Sequence, residues 1–412
     1  MIVDLHAHLP MHVAPDAEDA LAPRRHRRSH TRDALRARRH SSIRDWLRYW
    51  LLEAASYVAN YPDARGPAVT LPELEAGDVG VALSCLYSPL DEFDSRHFDG
   101  DAPEPDYVPE LEALMRDVEG EVAQHASRAG IARDWNEIQK LIAAGKTAIV
   151  HCIEGGFLLG ATPPQVRASV RHFAHLGIAY VTLAHLFYRQ VATNTAAIPF
   201  LPDCVYHALF HQPPVGLTEL GWTAAHACAE QGILIDITHM SNTSIAELFD
   251  WLENVEGPDK VAVVATHQAA RVVDGCCTPD YNLSDKWIRK IAERKGVVGL
   301  IFCPHYLGRG ARDRAPRSWD EAVALLAKHA NYIASITGNW QSVAIGTDMD
   351  GFTKPGLHGL ERARDLYRLE KALAPLVGGR ANAAAMCSGN ALRVLEQAWG
   401  KKRSLSLPPA LA

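Results

Sequence analysis

With 412 residues, 48% of them hydrophobic, the chain has enough apolar material for one large α/β barrel or two ordinary domains. Its formal charge of -6 excludes a general attraction to nucleic acid or anionic lipid, and no stretch approaches the ~18 uncharged apolar residues of a membrane span. Asp4 and His6 stand where a signal peptide needs its apolar core, and the eight cysteines include no C-x-x-C pair, so the expectation is a cytoplasmic protein with reduced thiols and neither a membrane nor a nucleic-acid partner.

In chain order, the first apolar run covers residues 1–5 and leads into "VDLHAHLP" at 3–10. Side chains alternate along a strand with period two, so His6 and His8 face one side and both can reach one ion. A basic stretch at 24–48 follows, then a second apolar run at 79–87 and an acidic stretch at 91–106. Further runs at 147–153, 180–184, 233–238, 261–266, 297–303 and 342–346 bring the number to eight. Near-continuous Val, Ile and Leu in such runs mark strands buried on both faces. Helical spacing lies between them at 164–175, 217–231, 241–253, 284–295, 319–336 and 360–373.

Eight β/α alternations predict a (β/α)8 TIM-type barrel filling residues 1–400 as a single domain, with a mobile tail at 401–412. A doubly wound sheet would carry a G-x-G-x-x-G phosphate turn after an early strand, and the sequence has none there. The two charged stretches fall in the long βα loops after strands 1 and 2. They are expected to form a lid over the face where barrels hold their active sites, the basic one as a solvated surface rather than a nucleic-acid site.

Polar residues end six of the eight runs. His6 and His8 close the first, Glu154 the third, His185 the fourth, His239 the fifth, His267 the sixth and Asp348 the eighth. A barrel gathers the C-terminal ends of its strands on one face, so seven residues remote in sequence become neighbours. Neutral imidazoles and carboxylates are ligands of zinc and similar divalent metals. One zinc needs only three protein ligands and a water, so this set suits two ions with Glu154 between them. His26, His30, His40, His97, His125, His172, His175 and His329 lack that position and read as exposed or packed side chains.

These residues sit in stretches that resemble the renal or membrane dipeptidase family, a branch of the amidohydrolase superfamily with binuclear zinc sites. The matching stretches are "VDLHAHLP" at 3–10, "LPELEAGDVG" at 71–80, "IEGG" at 153–156, "YVTLAH" at 180–185, "GLTELG" at 216–221, "IDITHMS" at 235–241, "THQAAR" at 266–271, "GTDMDG" at 346–351 and "GNALRV" at 389–394. The resemblance implies a metallo-dipeptidase that splits small peptide-like amides with a hydroxide held between two divalent ions, Zn²⁺ in the family. It gives His6 and position 8 to the first ion, Glu154 to both, and His239 and His267 to the second. Asp348 would sit beside the water, as ligand or proton shuttle, and His185 would contact the substrate carbonyl or the tetrahedral intermediate. Asp4 and Asp350 compete with Asp348 for the base, but strand alternation is expected to turn Asp4 away, and Asp350 reads as a loop-capping residue. Homodimerisation is a family trait that the residues leave open.

Three departures bear on the substrate. The family has H-x-D where this chain has His6-x-His8, which adds positive charge to the first ion's site. Tyr281 falls near the family's arginine for the substrate carboxylate, while Arg271 matches a different family arginine. The segment after His185, "LFYRQVATN", differs from the family's pattern, and Arg189 there is a candidate replacement for the lost carboxylate contact. The alternatives are therefore an amidohydrolase acting on another small amide, N-acyl amino acid or lactam, and a non-catalytic metal-binding barrel. Asp348 argues against the last, since a purely structural site has no need of an acid beside an open coordination position.

Overall fold

The computed structural model describes residues 1–12, 67–87, 92, 98, 100, 103, 107–198, 201–254, 261–273, 275–310, 313–351 and 356–400. The basic stretch at 24–48 and the tail at 401–412 lie outside the described residues, as does most of 91–106.

The strands are β1 (Ile2–Ala7), β2 (Val79–Leu86), β3 (Ala129–Ile131), β4 (Thr147–Glu154), β5 (Tyr180–Thr182), β6 (Leu234–Asp236), β7 (Val263–Gln268), β8 (Val272–Val273), β9 (Cys276–Cys277), β10 (Val298–Leu300) and β11 (Val343–Ile345). Parallel pairing runs β2-β1-β11-β10-β7-β6-β5-β4, and β4 pairs back to β2 to close an eight-stranded barrel. All eight members coincide with the eight apolar runs. The ninth strand of the sheet, β3, lies along the first residues of β4, where β5 does not pair. Its three residues are too few for a periodic signal. β8 and β9 form a separate antiparallel hairpin.

The barrel has two apolar layers. Val3, Leu5, Val81, Leu83, Val150, Tyr180 and Val264 cluster with Val394, Leu395 and Trp399, which come from the C-terminal helix Asn390–Ala398 and the residue after it. Ile2, Ala82, Ile149, Val181, Val263 and Val343 join the larger cluster made with the surrounding helices. Burial on both faces explains why the strands read as unbroken hydrophobic runs.

Local signals set the helix ends. Thr70, Asp134, Ser241 and Ser318 accept hydrogen bonds from backbone N–H groups in the first turns of Leu71–Ala76, Trp135–Ala143, Asn242–Glu253 and Trp319–Thr337. Gly232 and Gly338 end their helices with φ of 72° and 73°, a region open to glycine. The stretch at 360–373 is not one helix: a 3-10 turn, Ala363–Arg368, precedes a short α-helix, Leu369–Leu373. Two helices lie between β2 and β4 beyond those expected, Val108–Gln124 and Trp135–Ala143. Among the described residues no helix is long and apolar enough to cross a membrane.

Candidate metal centre

Val3 and Leu5 join the inner cluster while Ile2 and Ala7 join the outer one. Simple alternation from Leu5 would therefore turn His6 outward. A register shift between Asp4 and Ala7 breaks the alternation, and both histidines point to the centre with Nε2 atoms 3.2 Å apart. Asp4 turns aside as expected, accepting hydrogen bonds from the Thr347 N–H and Oγ1 and from the His6 N–H.

Glu154, the last residue of β4, is the hub. Its Oε1 lies 3.4 Å from His6 Nε2, 3.4 Å from His267 Nε2 and 3.6 Å from His239 Nε2. Its Oε2 lies 3.6 Å from His8 Nε2 and 3.4 Å from His185 Nε2. His239 and His267 approach to 3.1 Å between Nε2 atoms, and Asp348 Oδ1 is 3.0 Å from His8 Nε2. His239 and Asp348 have φ of 68° and 53°, a left-handed conformation that costs an L-residue about 1–2 kcal/mol. Both lie just past a strand end, where backbone strain commonly accompanies function.

The outer ring nitrogens show how the centre is prepared. Tyr180 donates its hydroxyl proton to the Leu5 carbonyl at 3.0 Å, so its oxygen accepts from His6 Nδ1–H at 2.7 Å. Thr266 Oγ1 donates to Asp236 Oδ2 and accepts from His267 Nδ1–H at 2.9 Å. Both contacts place the proton on Nδ1 and leave the Nε2 lone pair facing inward, the tautomer a metal requires. Glu154 Oε1, fully buried, has no hydrogen-bond donor. Imidazole Nε2 atoms gathered around this carboxylate suit one divalent ion between His6, His8 and Glu154 and another between Glu154, His239 and His267.

Electrostatics agree with that fit. Burial alone would raise the Glu154 carboxyl, but His185 and His6 outweigh it and hold it well below the usual range. Burial would lower His6, yet Glu154 beside it raises the imidazole to about 10. His185 is also raised against its burial, by Glu154 and Glu92. His239 is lowered by burial and by His185, and His267 falls well below its ordinary value through burial and His6. Without metal, protons are therefore favoured on His6 and His185 and disfavoured on His239 and His267.

A cavity opens over the centre, lined by Tyr87, Leu186, Ala197, Tyr281 and Tyr306 beside His8, His185, His239, His267, Glu154 and Asp348. Tyr281 is there as expected, its hydroxyl donating to the His267 carbonyl at 2.6 Å. The two candidate arginines are not. Arg189 is buried with Nη2 3.2 Å from the Tyr107 hydroxyl and its guanidinium 4.7 Å from the Phe157 ring centre. Arg271 pairs with Asp280. No Arg or Lys lines the cavity among the described residues. Asp350 caps a loop, accepting from the Ala68 and Val69 N–H groups at 2.8 Å each.

Three residues near the centre escaped the sequence reading. Tyr180 ends no run, so nothing marked it. Cys85 follows the inward series 81, 83, 85 at the end of the second run, which had no polar terminus of its own. Glu92, in the acidic stretch, is fully buried and accepts from His185 Nδ1–H at 2.5 Å and from the Phe187 N–H at 3.2 Å.

The family described as membrane dipeptidase (peptidase family M19) matches residues 44–408. An uncharacterised protein of the PQQ-III 3′ region of Acinetobacter calcoaceticus is 24% identical over 271 residues, covering 63% of this chain and 76% of that protein. An uncharacterised dipeptidase of Schizosaccharomyces pombe is 26% identical over 218 residues, 53% of this chain, and the match spans only 44% of that relative's length. Among solved structures, a metallopeptidase of Rhodobacter sphaeroides, liganded with a phosphinate mimic of the dipeptide L-Ala-D-Ala, superposes with a TM-score of 0.62 at 20% identity, over 87% of this chain and 98% of that one. At that identity the likeness speaks for the barrel fold.

Proposed function

This chain belongs to the membrane dipeptidase family of metallohydrolases, and from that membership we propose that it hydrolyses the amide bond of small dipeptide-like substrates at two divalent ions, taken to be Zn²⁺. The observation that carries the reading is the Glu154 carboxylate ringed by five histidine Nε2 atoms, with Asp348 at the edge nearest His8, all beneath one cavity. When bound, such ions acidify a water to a pKa near 7 and polarise the scissile carbonyl.

The residues then divide the remaining work. Asp348, on the cavity wall, takes the proton of the attacking water and delivers it to the leaving nitrogen. His185 holds Nδ1–H against Glu92 and, with its raised affinity for protons, presents Nε2–H to the carbonyl oxygen as negative charge develops there. Tyr87, Tyr281 and Tyr306 wall off water and give flat apolar surface to the substrate's side chains.

A second reading has one observation in its favour. With no Arg or Lys lining the cavity among the described residues, the bidentate grip on a free C-terminal carboxylate is missing there. That favours a small amide or lactam without a free carboxylate. Zinc-loaded protein assayed against L-Ala-D-Ala, other dipeptides and amides or lactams that lack a carboxylate separates the two readings. Asp348→Asn is expected to lower kcat by about 10²- to 10⁴-fold with bound metal unchanged. Undiminished turnover in that variant removes Asp348 as the proton carrier. We also assign the protein to a reducing, cytoplasmic compartment, a reading supported by the free thiols of Cys85, Cys152, Cys228, Cys303 and Cys387 and tested by cell fractionation.

A further inference from the structure

Val81, Leu83 and Cys85 face the barrel interior from β2, in the inner apolar cluster. The third of them ends that series at the level of the metal centre. Cys85 Sγ is buried, 3.6 Å from Glu154 Oε2, and its other acceptor, the Leu86 carbonyl, is at 4.0 Å. The donor atoms of His6, His8, Cys85 and Glu154 all lie within 4.8 Å of one another.

Those spacings can be set against a coordination polyhedron. A tetrahedral zinc with nitrogen and oxygen at about 2.0–2.1 Å and sulfur at about 2.3 Å separates its donors by roughly 3.3–3.6 Å. Here His6 to His8 is 3.2 Å and both His8 and Cys85 are 3.6 Å from Glu154 Oε2, while the 3.4 Å contact of His6 is to the other carboxylate oxygen, Oε1. Two imidazoles, one carboxylate oxygen and one thiolate are a complete tetrahedral set. Among the described residues no sulfur joins the other group of donors, Glu154 with His185 and His239.

We propose that Cys85 is a metal ligand, closing the His6, His8 and Glu154 site as a four-donor centre with one sulfur. The inference rests on the two-metal reading above. On coordination the S–H bond breaks, the proton leaves to solvent, and the sulfur's electron pair forms the bond to the metal. Sulfur makes this the softer of the two sites, so it selects zinc or cobalt over manganese or magnesium.

The test uses cobalt(II) in the full-length chain. Wild type loaded with two equivalents is expected to show visible d–d bands together with a near-ultraviolet thiolate-to-cobalt charge-transfer band. Cys85→Ser loses the charge-transfer band and keeps d–d absorption. Cys152→Ser keeps both, although Cys152 is the strand-register neighbour of Cys85. Cys85→Ala replaces the serine variant if serine disturbs the fold. Bound cobalt with d–d bands but no charge-transfer band in wild type overturns the Cys85 assignment and leaves the two-metal reading standing. A charge-transfer band that survives in Cys85→Ser, or follows Cys152, overturns it equally. No bound cobalt at all removes the two-metal reading and this inference with it.

Discussion

His6, His267 and His185 each give their Nδ1 proton to a fixed neighbour, Tyr180, Thr266 and Glu92 respectively. The first two contacts choose a tautomer, and the third aims a ring at the cavity. Glu92→Gln keeps the size of the side chain but loses the charge that holds His185 doubly protonated. It is expected to lower kcat by about 10²-fold, the usual cost of a misplaced catalytic group, while KM and metal content change little. An equal fall in metal content would instead make Glu92 a support of the centre as a whole. Among these residues the sequence was legible where a polar side chain ended an apolar run, which is how His6, His8, Glu154, His185, His239, His267 and Asp348 stood out. Glu92 was not, because a single buried carboxylate inside an acidic stretch looks like its solvated neighbours. Arg189 misled for the reverse reason. Its place after His185 suggested substrate, but its stem and guanidinium are buried against Phe157 and Tyr107.

Strands deliver these side chains only if their backbones pack closely. A Cβ on Gly299 of β10 would lie 2.1 Å from the Thr266 carbonyl oxygen of β7, and one on Gly346, just after β11, would lie 1.7 Å from the same atom. Thr266 immediately precedes His267, so room made there moves a metal-facing ring. Gly299→Ala is expected to cost about 1–3 kcal/mol in urea unfolding and to weaken metal retention. Wild-type stability in that variant would show that the strands can separate freely. The short helix Pro304–Leu307 after β10 carries His305, whose imidazole is pushed down to about 4 by burial. The unfolded value is near 6.5, so the unfolded chain takes up the proton first. His305 therefore contributes stability above pH 6.5, which is lost as pH falls from 6.5 through 4. In urea titrations across that window His305→Asn should lose less stability than wild type, and parallel curves would contradict it. Element boundaries were legible where caps and glycines stood in the right places. The break within 360–373 was not, because a 3-10 turn followed by a helix keeps almost the same apolar spacing as one helix.

Across the whole molecule, eight runs gave eight barrel strands because a parallel barrel buries both strand faces and leaves its hydrophobic runs unbroken. The polar centre is the exception to that burial. It brings a carboxylate and five imidazoles together with few internal donors, so without metal it is a cluster of unmet charge and lone pairs. An ion that binds only the folded chain stabilises it by about 2.7 kcal/mol at 100 times its Kd. Chelation should therefore lower Tm, with recovery on adding zinc, and a Tm indifferent to chelator would argue that the centre is satisfied by its own protons. The most direct measurement is the metal content of purified, zinc-loaded protein after exhaustive desalting, for wild type, His6→Ala and His239→Ala. Two ions per chain in wild type, falling to about one in each variant, is the predicted result. Fewer than one ion per chain in wild type would contradict a centre built for two.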